Sequence, residues 1–142
     1  SEYAAVIPKF ITACLRKERP VIFGDGEQTR DFCYIENTVG ANLLAATTPN
    51  KLTGQVVNVA CGDRASLNDL LKHIAEIAIA AGDAPAGYRL EADYRERRKG
   101  DVRDSLAAID AARALLGYDP KVRVREGLER TYQAFRTFTP RA

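Results

Sequence analysis

The chain has 142 residues, of which 21 are basic and 19 acidic, giving a net charge of +2 at neutral pH. That balance excludes a global electrostatic field for nucleic acid or a membrane surface, and no apolar run approaches the roughly 20 residues of a transmembrane span. At 46% hydrophobic and 28% charged, the composition is that of a globular domain able to bury one modest core.

Residues Tyr3–Glu18 read as a helix, with Ile7, Phe10, Ile11, Cys14 and Leu15 on one apolar stripe. Pro8 is tolerated only in a first turn, and Pro20 stops the element. Phe23–Ile35 follows, a strand–loop–strand signal in which Val21–Phe23 enters and Phe32–Ile35 leaves the polar loop Gly24–Asp31. Spacing alone favours a solvated hairpin here over a loop that holds Arg30 against an anion.

Glu36–Thr48 reads as a second helix, with Val39, Leu43, Leu44 and Thr47 on one face and Gly40 marking a close helix–sheet contact. Gln55–Ala60 is a valine-rich strand of the kind covered on both faces. Few other strands are present to flank it, which suggests a missing sheet. Ser66 and Asp69 start a helix whose stripe is Leu67, Leu70, Leu71, Ile74, Ile77 and Ala78. His73 lies off that stripe and reads as a structural, partly exposed histidine.

Tyr88–Asp104 is dense in charges of both signs and reads as a solvated loop. Asp110 is expected to cap a short helix through Leu116, closed by Gly117. Val124–Phe138 is the last helix, with Val124, Leu128, Tyr132 and Phe135 on its stripe. The cysteines Cys14, Cys33 and Cys61 make neither a metal spacing nor an even disulfide set, and are expected to be reduced, buried thiols of a cytoplasmic protein. The sequence contains no methionine and begins at Ser1, so the chain is expected to be a piece of a longer protein.

No acid–base pair, nucleophile triad, metal cluster or G-x-G-x-x-G stands out. What remains is two arginine-bearing loops, at Arg30 and at Arg98, able in principle to clamp a diphosphate through forked, charge-assisted hydrogen bonds. Asp101 is placed to accept from a sugar hydroxyl.

Five segments taken in order carry a resemblance. They are Ala4–Phe10, Phe23–Phe32 (FGDGEQTRDF), Val57–Gly62 (VNVACG), Arg98–Leu106 (RKGDVRDSL) and Leu115–Tyr118 (LLGY). The series resembles the C-terminal part of the NAD-dependent nucleotide-sugar epimerase/dehydratase family, the extended short-chain dehydrogenases, and is most similar to bacterial 4-epimerases of UDP-N-acetylhexosamines. The resemblance covers essentially the whole chain.

It implies an α/β fold in which residues 1–142 form the substrate-binding part: helices with few short strands, most of the Rossmann sheet missing, and residues 36–60 packing on a Rossmann domain. It implies NAD as the parent's cofactor, with none bound by this chain alone. The glycine-rich NAD fingerprint, the catalytic Ser/Thr and the Tyr-x-x-x-Lys pair lie upstream of the matched region in the family, and no catalytic residue is assigned here.

Carried over by position, Val6 lines the nucleotide, while Val21 and Phe23 meet the uracil. Arg30 and Arg98 bind the diphosphate, Asp101 binds a ribose hydroxyl, and Ser105 lies near the sugar, where its small size favours an N-acetyl group. Phe32 stands where some epimerases carry tyrosine, removing a phenolic hydrogen bond. Ala108 replaces the usual aspartate before the capping residue.

The implied partners are a UDP-sugar, the upstream Rossmann domain and a second copy meeting exposed strand edges, with no nucleic acid or membrane. A sugar-nucleotide dehydratase or reductase is the alternative within the same family. A non-catalytic nucleic-acid module using Arg95–Lys99 is the alternative of another class, disfavoured by interspersed Glu96 and Asp101 and by the lack of interleaved aromatics. A remnant without activity is the third reading.

Overall fold

The computed structural model describes residues 6–138. In chain order the elements are α1 (Val6–Arg16), β1 (Val21–Phe23), β2 (Thr29–Arg30), α2 (Ile35–Thr47), β3 (Ala65–Ser66), α3 (Leu67–Ala80), β4 (Asp93–Arg95), α4 (Asp110–Leu116) and α5 (Val124–Phe138). The fold is mixed α/β, mostly helical with few short strands. The described residues group into two compact units, one of residues 6–28, 66–103 and 128–138, the other of 29–65 and 104–127.

In the first unit, α1 packs on α3. Phe10, Ile11, Cys14 and Leu15 are buried, as the stripe predicts. Residues 3–5 of the predicted helix lie outside the described residues. The helix ends before Pro20: Lys17 adopts φ 58°, its N–H reaches Cys14 O at 3.2 Å, and the Glu18 N–H reaches Ala13 O at 2.9 Å. This is a Schellman closure with lysine in the position glycine usually takes.

Helix α3 starts on a reciprocal capping box. Ser66 Oγ accepts from the Asp69 N–H at 3.0 Å, and the Asp69 carboxylate accepts from the Ser66 N–H at 3.0 Å. Those Ser66 hydrogen bonds hold the Asp69 carboxyl below its ordinary range. Leu70, Leu71, Ile74, Ile77 and Ala78 are buried, as their spacing requires, while His73 is half-buried beside Glu76 at 3.7 Å. Leu128 and Tyr132 of α5 are also buried.

The predicted hairpin does not form. β1 pairs in parallel with β4, in register Val21–Asp93, Ile22–Tyr94 and Phe23–Arg95. Phe32–Tyr34 is irregular, and Ile35 opens α2. Gly24 and Gly26 do adopt positive φ, 98° and 79°, but they turn the chain away from β1 and do not fold it back. β4 lies inside the stretch read as a solvated loop. Its three residues are all exposed, so no apolar alternation marks it.

In the second unit, α2 packs on α4. Ala41, Ala60, Ile109, Ala112, Leu116 and Tyr118 form the buried cluster. The Tyr118 hydroxyl donates to Ala60 O at 2.8 Å, and burial, its foremost cause, pushes this phenol's pKa above the ordinary tyrosine value. The buried Asn37 amide is fully used: Nδ2 donates to Val122 O at 2.7 Å, and Oδ1 accepts from the Lys121 and Val122 N–H groups, each at 3.0 Å.

Three expectations are corrected in this unit. Residues 55–59 form no strand among the described residues, and Val56 is 93% exposed, since a strand exists only where a neighbour completes its ladder. Gly40 faces open space among the described residues instead of a close contact. Ile109, not Asp110, occupies the N-cap of α4, without a side-chain cap bond; Gly117 does close the helix, at φ 66°.

Candidate functional site

The first unit concentrates its polar chemistry in the two loops that follow β1 and β4. The parallel ladder runs one step past the strands, where the Gly24 N–H donates to Arg95 O at 2.9 Å. Beyond it, Gln28 is buried and its amide donates to Phe23 O at 2.7 Å. Asp25 Oδ1 accepts from the Glu27 N–H at 3.0 Å, and Oδ2 pairs with Arg103 Nη1 at 3.1 Å. The Glu27 bond, then Arg103, hold the Asp25 carboxyl below its ordinary range.

In the loop after β4, Arg97 Nη2 donates to Asp101 O at 2.8 Å, and the Asp101 N–H reaches Arg98 O at 3.2 Å. This tight turn uses Gly100 at φ 84°. The Arg98 guanidinium lies over the Phe23 ring, 3.9 Å from its centroid, within the range of a cation–π contact. Among the described residues Arg98 has no carboxylate partner. Phe23, Gly24, Asp25, Gln28, Arg97 and Arg103 line a cavity of about 190 Å³.

Of the predicted site residues, the structure therefore brings Phe23 and Arg98 into contact. Val21 lies exposed at the start of β1, Asp101 is half-buried in the turn, and Val6 is half-buried at the described start of α1. Sequence reasoning missed Gln28, Arg97, Arg103 and Asp25. The pairing of β1 with β4 is what would have found them, because it makes the two loops neighbours.

The second unit holds the other two. Thr29 forms an isolated parallel bridge to Asp104, its Oγ1 donating to the Asp104 carboxylate at 2.7 Å. The Ser105 N–H donates to Thr29 O at 3.2 Å, and Arg30 Nη1 donates to that same carbonyl at 2.8 Å. Arg30, half-buried, and Ser105, exposed, are thus brought together on one backbone oxygen. The next residue, Asp31, accepts from the Cys61 and Gly62 N–H groups, each at 2.9 Å, so its carboxylate is spent on holding that turn. A cavity of about 320 Å³ also opens beside Gly40, Leu44 and Tyr118. Its polar floor, Asn37, is already satisfied, and its rim lysine, Lys121, pairs with Asp119 at 2.6 Å.

The Gly24–Gly26 loop is not followed by a helix whose N-terminus could face a pyrophosphate, since the next element is the two-residue β2. No group of three potential metal ligands occurs among the described residues, and none of their helices is long and apolar enough to cross a membrane.

The NAD dependent epimerase/dehydratase family matches residues 1–60. A UDP-glucose 4-epimerase of Mycolicibacterium smegmatis is 34% identical over 133 residues, 94% of this chain and 39% of that protein. The crystal structure of a UDP-glucose 4-epimerase from Thermotoga maritima, with UDP-glucose, superposes with a TM-score of 0.82 at 38% identity, over 97% of this chain and 42% of that one. A UDP-N-acetylglucosamine 4-epimerase of Methanobrevibacter ruminantium, in complex with UDP-N-acetylmuramic acid, gives 0.79 at 36%, over 98% of this chain and 41% of that one. UDP-sugar decarboxylases also occur among the relatives. The chain spans about two fifths of the length of these relatives.

Proposed function

We propose that the chain, whose residues 1–60 match the NAD dependent epimerase/dehydratase family and which is similar over most of its length to UDP-sugar 4-epimerases, is the nucleotide-sugar-binding portion of an NAD-dependent UDP-sugar 4-epimerase. The ligand is a UDP-hexose or a UDP-N-acetylhexosamine. On this reading the sugar C4 gives its hydride to NAD held elsewhere in the parent, and this chain contributes binding and orientation, not catalytic groups.

The observation that carries the reading is Arg98. Its guanidinium is laid on the Phe23 ring and engaged by no carboxylate among the described residues. Such a stack fixes the plane of the fork while leaving its donors available to phosphate oxygens. Val6, Val21 and Phe23 are assigned to the nucleotide, and Asp101 to a ribose hydroxyl. The assignments of Arg30 to the diphosphate and of Ser105 to the sugar rest on the motif resemblance alone.

Residues 36–60 are assigned to contact with the parent's NAD-binding domain. The exposure of Val39 and Leu43 (62%), one turn apart in α2, and of Val56 (93%) supports this, because large apolar side chains are normally covered.

Calorimetric titration with UDP, UDP-N-acetylglucosamine and dTDP tests the proposal. The expected result is preference for UDP over dTDP, with Arg98→Ala weakening UDP binding by about 1.5–3 kcal/mol, the value of a charge-assisted hydrogen bond. Equal binding by Arg98→Ala and the parent chain overturns the assignment of Arg98.

A further inference from the structure

We propose that Asp25 and Arg103 form a positioning latch that holds Arg98 on the Phe23 ring, and that Arg103 itself does not touch the ligand. The inference rests on the reading above only for the identity of the anion that Arg98 meets.

The β1–β4 ladder ends at the Gly24–Arg95 hydrogen bond, so the two loops beyond it need other fastenings. Arg97 closes the second loop on itself through Asp101 O. The Arg103–Asp25 pair at 3.1 Å fastens the far end of that loop to the first one. Asp25 is oriented for this role, since its other oxygen is held by the Glu27 N–H at 3.0 Å. The first loop is fixed in turn by Gln28 on Phe23 O. Arg98 lies between the two fastened points, and its only support at the guanidinium, among the described residues, is the ring of Phe23.

Charge separates the roles of the two arginines. A phosphate approaching Arg103 meets a cation already neutralised by the Asp25 carboxylate and is repelled by that carboxylate. A phosphate approaching Arg98 meets neither obstacle. Both members of the pair are about half exposed, 52% for Arg103 and 54% for Asp25. The latch is therefore a conformational bias of modest strength and not a pillar of the fold.

The test uses the full 142-residue chain with two readouts. The first, without ligand, is the NMR shift of the Arg98 side-chain protons, moved upfield by the ring current of Phe23. The second is calorimetric UDP affinity. Asp25→Asn and Arg103→Gln should each measurably reduce the upfield shift and weaken UDP binding about two- to fivefold, the range of an exposed ion pair. The charge exchange Asp25→Arg with Arg103→Asp should restore both. If Arg103→Gln loses the amide pattern of α3, Arg103→Lys, which keeps the charge, replaces it, with a partial loss of shift expected.

An upfield shift unchanged in both single variants overturns the latch, as does a loss that the exchange fails to restore. Weaker UDP binding in Arg103→Gln but not in Asp25→Asn also overturns it, by marking Arg103 as a direct ligand contact. A parent chain that binds no UDP, yet shows the shift lost in the single variants and restored in the exchange, supports the latch and sinks only the diphosphate reading.

Discussion

Replacing Gly26 by alanine tests the construction of the β1 loop most severely. Gly26 has φ 79°, and a Cβ built there falls 2.1 Å from Asn68 Oδ1. An L-residue in the left-handed region costs about 1–2 kcal/mol. The collision is with the end of a side chain, so Asn68 can rotate away, but it then gives up what it holds. Its Nδ2 donates to Asp25 O at 3.1 Å and to the Glu27 carboxylate at 2.6 Å, and its Oδ1 accepts from the Tyr94 hydroxyl at 2.8 Å. All of these are exposed, so their joint loss is set at about 1–2 kcal/mol, the lower end for three hydrogen bonds. Gly26→Ala should therefore destabilise by about 2–4 kcal/mol, read as a lowered urea midpoint at constant slope. Gly24 is the control: its φ is 98°, but its Cβ would meet nothing nearer than 3.6 Å, so Gly24→Ala should show the backbone cost alone. In the double variant with Asn68→Ala, the collision has no object, and the combined loss should fall short of the sum by about 1 kcal/mol. A Gly26→Ala chain no less stable than Gly24→Ala would refute the reasoning.

Three further outcomes are expected. Asp31→Ala strips the acceptor from the Cys61 and Gly62 N–H groups and should cost about 1–3 kcal/mol by urea unfolding, most of it from the part-buried Cys61 donor, because water can reach the exposed Gly62 N–H. Tyr118→Phe removes the buried bond to Ala60 O and should cost about 1 kcal/mol in the same assay. Alkaline pH should weaken the first unit. Burial, its leading cause, raises the Tyr88 phenol from 10.0 to about 12, so the folded state keeps a proton that the unfolded state releases. The associated stability is complete below pH 10 and is lost as pH rises through about 12. Tyr88→Phe should flatten that fall in the urea midpoint, and an unchanged slope counts against the shift.

The helices were legible because their signals are local. The stripe of α3 and its Ser66–Asp69 box lie within one stretch of chain, as does the Gly117 closure of α4. The strands were not, and β4 shows why. Asp93, Tyr94 and Arg95 are all exposed, and what makes them a strand is β1, far away in the sequence. Missing that pairing hid the candidate site as well. Asp25 and Arg103 look like two members of mixed-charge loops until the ladder brings them within 3.1 Å.

The second unit presents the opposite case. Val39, Leu43 and Val56 carry a readable apolar signal, but periodicity reports only that a face should be buried, never against what. In α2 the residues that do bury are Asn37 and Ala41, a polar amide and a small side chain that a hydrophobic pattern scores as unremarkable. Asn37 earns its place by answering three backbone groups of residues 121 and 122, a demand that exists only once the chain has folded. The sequence therefore misdirects here for a physical reason. Part of the apolar pattern in 36–60, at Val39, Leu43 and Val56, lies on exposed surface, while the unit is held by a cluster that draws only Ala41 and Ala60 from this stretch as fully buried members and by the hydrogen bonds of Asn37, which leave no periodic trace.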